Sequence, residues 1–366
     1  MTLPSIKLLR DALIEPNSLT TLKPSQWDLL IRQGRNASML ARMAFDCQAL
    51  DLIEKIPEQP RRHLDSAAVL AARQHRELRW EIQLIEEALA PKELSFVLLK
   101  GAAYAITALR ASRGRMMSDV DILVRHTTLP EVESALMMRG WVSDAKSDYD
   151  QRYYRTWMHE LPPMRHFQRG TTIDVHHAIV PMSSRSHPSS DALLSSAQTI
   201  PGHVNVMALA PLDMVLHSAS HLFHEGEFDQ GFRGIVDLDS LLREFCEQEG
   251  FWAGLIPRAI QLELVRPLFY ALRYTSTMLG TPVPTAIMAE IGQVPGVPSS
   301  QLFQTFMDAL FLRALRPTHA STSDAWTPLA RWLLYVRGHW MRMPPWLLVQ
   351  HLARKAWMGW FPVKKD

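Results

Sequence analysis

Cysteine is almost missing from this chain. The 366 residues contain only Cys47 and Cys246, far apart and in neither a CxxC nor a metal-ligand spacing. That excludes a disulfide scaffold, a zinc ribbon and a thiol redox motif, and fits a reducing compartment, with both thiols read as buried. An excess of charge of one sign is missing too, since 39 Lys and Arg stand against 37 Asp and Glu. With no global field, long nucleic acid is not an expected partner and any basic surface is local. There is no apolar run fit to span a membrane. The most apolar window, 204–223, carries Asp213, His217 and His221, whereas a span needs roughly 20 residues with few or no charges. Residues 1–10 show no basic stretch followed by a long apolar one, so no signal peptide is read and a cytoplasmic location is expected. No internal repeat is found.

Hydrophobic residues make up 47% of the chain, enough to bury a sizeable core divided into two or three units. Over 27–50 and 61–89 apolar residues recur at intervals of three and four, which predicts an N-terminal helical region, 1–90. Pro91 stops the second helix, and Leu94-Ser95-Phe96-Val97-Leu98-Leu99 reads as a short buried strand. Residues 102–110 favour a helix and 120–124 a strand. Thr127 or Thr128 can cap a further helix ending near Gly140. Two strands are expected at 160–168 and 171–175, joined by a turn at Arg169-Gly170. A central α/β unit, 91–182, results. Helices follow near 211–223, 232–249 and 252–279 in a unit at 183–290, with a Pro/Gly-rich linker over 280–300. The last segment, 291–366, ends in a tail rich in tryptophan and arginine.

The most informative string is Arg115-Met116-Met117-Ser118-Asp119-Val120-Asp121-Ile122-Leu123-Val124. On a strand, alternate side chains share a face, so Asp119 and Asp121 point the same way. Two like charges at close range repel unless a cation sits between them, and Mg²⁺ takes carboxylate oxygens together with substrate phosphates. Spacing alone leaves open a solvated strand end with two surface aspartates. Asp174, in Ile173-Asp174-Val175, adds a third carboxylate flanked by buried-type residues. Three aspartates on two adjacent strands can hold two metal ions. Upstream, Lys100-Gly101-Ala102 lies where a strand meets a helix N-terminus, a place that favours phosphate, though glycine there also suits an ordinary turn. Arg113 and Arg115 precede the acidic strand, as triphosphate contacts or as solvated loop residues.

The run 98–103, then Arg115, then 118–124, then His159-Glu160-Leu161-Pro162, then Ile173-Asp174-Val175-His176-His177 resembles the uncharacterised nucleotidyltransferase family of the polymerase-β superfamily. The likeness extends to Leu212-Asp213, His217, His221, His224 and 233–238. It implies an α+β fold, with a small mixed sheet of polymerase-β nucleotidyltransferase type flanked by N- and C-terminal helical regions. It also implies transfer of a nucleoside monophosphate from an NTP to an acceptor, with Asp119, Asp121 and Asp174 holding Mg²⁺ or Mn²⁺. By the same resemblance Lys100, Gly101, Ala102, Arg115 and Ser118 would meet the nucleotide. Ala102 departs from the superfamily's usual Gly-Ser or Gly-Gly pair and lacks the hydroxyl that commonly helps hold the triphosphate. The acceptor is not named by the family: a small molecule, a glycan precursor or a protein. A nucleotide-sensing or scaffolding module without turnover is the alternative.

Histidines ring the proposed site. His159, His176 and His177 fall around the strands, where one could orient the acceptor or act as a base, or could be satisfied by local hydrogen bonds. His217, His221 and His224 share one helix face with Asp213 and are expected to line the cleft, since no HExxH arrangement supports zinc. The tail, 326–366, holds six tryptophans and seven Arg or Lys against one acid. It can meet an anionic membrane surface or a partner protein, or pack on the body with its arginines covering apolar surface.

Overall fold

Apolar spacing folds the N-terminal region into α1 (Lys7–Ile14), α2 (Pro24–Asn36), α3 (Leu40–Ala49) and α4 (Glu58–Leu89) in a computed structural model that describes residues 6–144, 154 and 157–342. The periodic run expected over 27–50 is two helices. Ser38 breaks it with a left-handed backbone, φ 58°. The turn is tight because Gly34 lets α3 come close: a Cβ there would stand 2.8 Å from both Leu40 and Met43.

The 32-residue α4 is the spine against which the sheet is hung. Its Glu81, nearly fully buried, accepts hydrogen bonds from Arg169 Nε at 2.5 Å and Thr171 Oγ1 at 2.9 Å. Its Glu86 accepts from the backbone N–H of Val204 at 2.7 Å. Its Gln74 and His75 bond the backbone of Met117 and Arg115 at 3.1 and 3.0 Å. Three separate loops are thereby fixed to one helix, including the loop that leads into the acidic strand.

Among the described residues seven strands form one mixed sheet in the order β3-β4-β5-β2-β1-β7-β6. They are β1 (Phe96–Leu98), β2 (Asp119–Leu123), β3 (Trp141–Ser143), β4 (Met164–His166), β5 (Thr172–His176), β6 (Gln198–Thr199) and β7 (Val206–Ala208). The central strands β5, β2 and β1 carry the register that matters: β2 runs antiparallel to β1, with Val97 opposite Leu123, and parallel to β5, with Asp121 opposite Asp174. The sheet is wider than the sequence suggested because β3, β6 and β7 have only two or three residues each, too few to show alternation. The strand expected at 160–168 is confined to β4. Pro162 and Pro163 supply no N–H to a ladder, and Glu160 makes an isolated bridge with His176. The turn at Arg169-Gly170 is present, with Gly170 at φ 71°.

Helices α5 (Lys100–Ile106) and α6 (Leu129–Met138) belong to the strand-helix units, and α7 (Ser190–Ser196) precedes β6. Then come α8 (Pro211–His224), α9 (Gly231–Phe245), α10 (Phe251–Gln261), α11 (Val265–Leu279), α12 (Thr285–Gln293), α13 (Gln301–Ala314) and α14 (Thr327–Arg342). The single helix expected at 252–279 is broken where Glu263 turns left-handed, φ 56°, and the expected linker contains α12. Cys47 is buried, but Cys246 is only partly so. Helix α14 packs closely on the segment after α8: a Cβ on Gly338 would meet Gly226 Cα at 2.8 Å. Its Arg337 lies over the rings of Tyr270 and Phe311. The remainder of the tail, 343–366, lies outside the described residues. No helix among the described residues is long and apolar enough to cross a membrane.

Candidate active site

Alternation along β2 and its parallel pairing with β5 bring Asp119, Asp121 and Asp174 to one face of the sheet. Asp119 is exposed at the strand's start, Asp121 is buried, and Asp174 stands directly beside Asp121. Ser118 Oγ donates to Asp119 Oδ1 at 3.2 Å. Lys100 Nζ donates to Asp121 Oδ1 at 2.8 Å, and His176 Nε2 meets the same oxygen at 3.0 Å. The other nitrogen of His176 faces Glu160 Oε2 at 3.2 Å. A ring with a carboxylate on each side is favoured with both nitrogens protonated.

These contacts set the charges. Burial alone would raise the Asp121 carboxyl, but Lys100 and His176 outweigh it and hold it well below the usual range. Burial would lower His176, yet Asp121 and Glu160 raise it. For Asp174 the balance goes the other way. Burial, then the charges of Asp121 and Glu160, push its carboxyl up to about 7, and its Oδ1 is buried without a hydrogen-bond partner. An unpaired buried acceptor costs on the order of 1–3 kcal/mol, so its presence at the centre of a carboxylate cluster marks a place prepared for a cation or a donor.

Lys100 reaches Asp121 because of the backbone. Leu99 continues the β1–β2 ladder through its N–H to Asp121 O at 3.0 Å, and Lys100 then turns left-handed, φ 47°. A non-glycine residue there is strained, by on the order of 1–3 kcal/mol. Gly101 has a different reason for being glycine. A Cβ on it would stand 2.0 Å from Arg115 Nη1, so the Arg115 guanidinium lies directly over the loop. Arg115 Nε donates to Asp237 Oδ2 of α9 at 2.9 Å, with both side chains largely buried. Arg115 thus ties the loop to the helical region. Ala102 is buried and presents no polar atom.

Beside this ion pair is a cavity of about 70 Å³ lined by Lys100, Arg115, His221, Glu225 and Arg233, among others. Arg233 is partly buried and has no carboxylate in ion-pair contact among the described residues. Its guanidinium is lowered by burial and by the charge of Arg115.

The histidines divide. His217 is buried near Lys100 and is held well below its ordinary value by burial and that charge, so it is neutral. His221 pairs with Glu225, whose carboxyl is held at about 2: burial opposes that shift, and His221 and Lys100 outweigh it. His159 is also neutral, lowered by burial and by His176, and its Nδ1 is buried without a partner. His177 turns instead toward His126, with ring centroids 4.8 Å apart. The expectation that Asp213 lines the same cleft does not hold. Asp213 is buried in an ion pair with Arg258, Nε to Oδ1 2.7 Å, and accepts from Ser196 Oγ. Among the described residues one set of ligand-type side chains, His159, Glu160 and His176, has its atoms within 4.8 Å of one another.

Glu160, Glu225, Arg233 and Asp237 were not singled out from sequence as site residues. For Glu160 the signal was its place next to His159. Arg233 and Asp237 lay in the run 233–238 that shares the family likeness, without a role assigned, and for Glu225 only the packing of α8 against the sheet could supply a signal.

An acidic pair on a central strand, a third carboxylate on its parallel neighbour and a basic residue at the preceding strand-helix turn are thus gathered at one place. The chain belongs to the uncharacterised nucleotidyltransferase family, whose sequence model matches residues 23–280. No curated protein is significantly similar to it.

Proposed function

We propose that the chain is a metal-dependent nucleotidyltransferase of the polymerase-β type, moving a nucleoside monophosphate from an NTP to an acceptor hydroxyl with release of pyrophosphate. The observation that carries this reading is the alignment of Asp119, Asp121 and Asp174 on one face, with Asp174 Oδ1 left without a partner. That orphaned oxygen, in a set of hard oxygen donors, fits Mg²⁺ or Mn²⁺. Bound there, the cation would neutralise triphosphate charge and lower the pKa of the attacking hydroxyl. The chain's own residues do the remaining work. Lys100 and His176 hold Asp121 ionised and fixed in direction. Arg233, at the cavity wall and in no ion-pair contact with a carboxylate among the described residues, offers a guanidinium to the phosphates of the leaving group. As the acceptor oxygen bonds the α-phosphorus and the bond to the bridging oxygen breaks, the acceptor's proton passes to a carboxylate of the cluster or to water.

A second reading, a nucleotide-binding module without turnover, is favoured by the Lys100 ammonium already seated on Asp121 and by Ala102, which brings no hydroxyl to the loop. Incubating the purified chain with each α-labelled NTP, Mg²⁺ or Mn²⁺ and a cell extract, beside an Asp119→Ala/Asp121→Ala variant, separates the two. Aspartate-dependent label on a product is expected. Metal-dependent nucleotide binding with no label from any of the four NTPs would favour the second reading.

A further inference from the structure

At the C-terminal end of α8, an open groove of about 940 Å³ runs between α10, α11, α13 and α14. It falls within the size range of small-ligand pockets, roughly 300–1,000 Å³. One wall is apolar and half exposed: Ile260, Phe303, Phe306 and Trp340. The other wall is cationic. Arg337 Nη1 donates to Phe223 O at 3.1 Å, and Arg266 Nε donates to Gly296 O at 2.9 Å. Arg185 lies over the Trp340 ring at 4.8 Å.

Among the described residues none of these three arginines is in an ion pair with a carboxylate. Glu263 also lines the groove, but its Oε2 accepts from the His187 backbone N–H at 2.8 Å. The field of the arginines is felt at the floor, where burial and then Arg337, Arg266 and Arg342 bring His224 down to about 4. Glu263 is the one carboxylate among the groove's described lining residues, and three guanidiniums in excess of it around an apolar channel favour an added anion. Their planar forks match the oxygens of a phosphate.

We propose that this groove binds a single-chain amphiphile with a phosphate monoester head, the chain lying along Ile260, Phe303 and Phe306 and the phosphate held by Arg266 and Arg337. The site is separate from the acidic cluster and does not depend on nucleotidyl transfer.

Isothermal titration calorimetry of the full chain tests this with dodecyl phosphate below its micelle concentration, against decyl phosphate and neutral dodecyl maltoside. Dodecyl phosphate is expected to bind one to one. Loss of two methylenes weakens binding by about fifteenfold, at roughly fourfold per CH₂. The neutral head and the Arg266→Gln variant each cost at least about tenfold, the scale of a charged hydrogen bond. Phe306→Asp, at a half-exposed position, blocks the chain without removing an arginine and weakens binding as well. Circular dichroism confirms the fold of both variants. Equal affinity for the neutral and the phosphate amphiphile, unchanged affinity in both variants, or binding to phosphatidate vesicles without binding of monomeric dodecyl phosphate would overturn the proposal.

Discussion

Replacing Asp174 by asparagine is expected to stabilise the metal-free chain at neutral and alkaline pH, although it removes a residue assigned to the site. The side chain sits beside Asp121, has one buried oxygen without a partner, and titrates near 7 instead of near 3.8. A carboxyl whose folded pKa is raised adds nothing unfavourable while it is protonated in both states, below the unfolded pKa. As pH rises from there through the folded value, the unfolded state ionises freely and the folded state does not, so stability falls and then levels off. At about 1.4 kcal/mol for each pH unit separating the two values, reduced for the side chain's remaining exposure, the folded chain above pH 7 carries a penalty on the order of 3 kcal/mol from this one group. Asparagine keeps the shape, carries no charge and can donate to Asp121 or Glu160. The gain is expected to be near zero at pH 4, to grow through pH 5 and 6, and to be full at pH 8. Chemical denaturation of both proteins across that range, with a metal chelator present, measures it. A gain that is the same at pH 4 and pH 8, or a loss at pH 8, would refute the assignment of an unpaired charge to Asp174. Adding Mg²⁺ at pH 8 should stabilise the unmodified chain and leave the Asp174→Asn variant almost unchanged.

Lys100→Met strands the buried Asp121 carboxylate and is expected to cost about 3 kcal/mol at pH 7, by denaturation. Because the folded pKa of Asp121 is depressed, that loss shrinks once pH falls through the carboxylate range. His176→Gln should cost more at pH 6 than at pH 9, since a histidine raised by Asp121 and Glu160 contributes its stability below about 6.5 and loses it as pH rises through the folded value. Arg115→Ala leaves Asp237 buried and unpaired and should cost about 3–5 kcal/mol. Gly101→Ala should disturb the same ion pair by pushing the guanidinium aside, and a double-mutant cycle of the two should be far from additive.

Much of the candidate site's geometry was legible because it is local. The alternation of Asp119 and Asp121 on an apolar strand fixes a shared face whatever surrounds it, and the buried-type neighbours of Asp174 place it in a second central strand. What the sequence could not supply was the partner of each group. Lys100 reads as a phosphate contact, yet its left-handed backbone aims it at Asp121. Gly101 reads as an opening for a ligand, yet Arg115 fills it. Asp213 shares a helix face with His217, but the helix extends past the cleft, and that end is claimed by Arg258. Short elements were the other loss. Strands β6 and β7 are two and three residues long, held by the pairing of β7 with β1 and by Glu86 of α4, which accepts from the hairpin's backbone. A pairing with a strand and a helix more than a hundred positions away leaves no periodic trace.

The central claim is the class of bond broken, and label position tests it most directly. One NTP, labelled at the α-phosphorus in one arm and at the γ-phosphorus in the other, is incubated with the chain, Mg²⁺ and the acceptor-containing fraction. The account predicts α-label on the product and γ-label in pyrophosphate, both lost in Asp119→Ala/Asp121→Ala. Label from the γ-phosphorus on the product would mean phosphoryl transfer and contradict it.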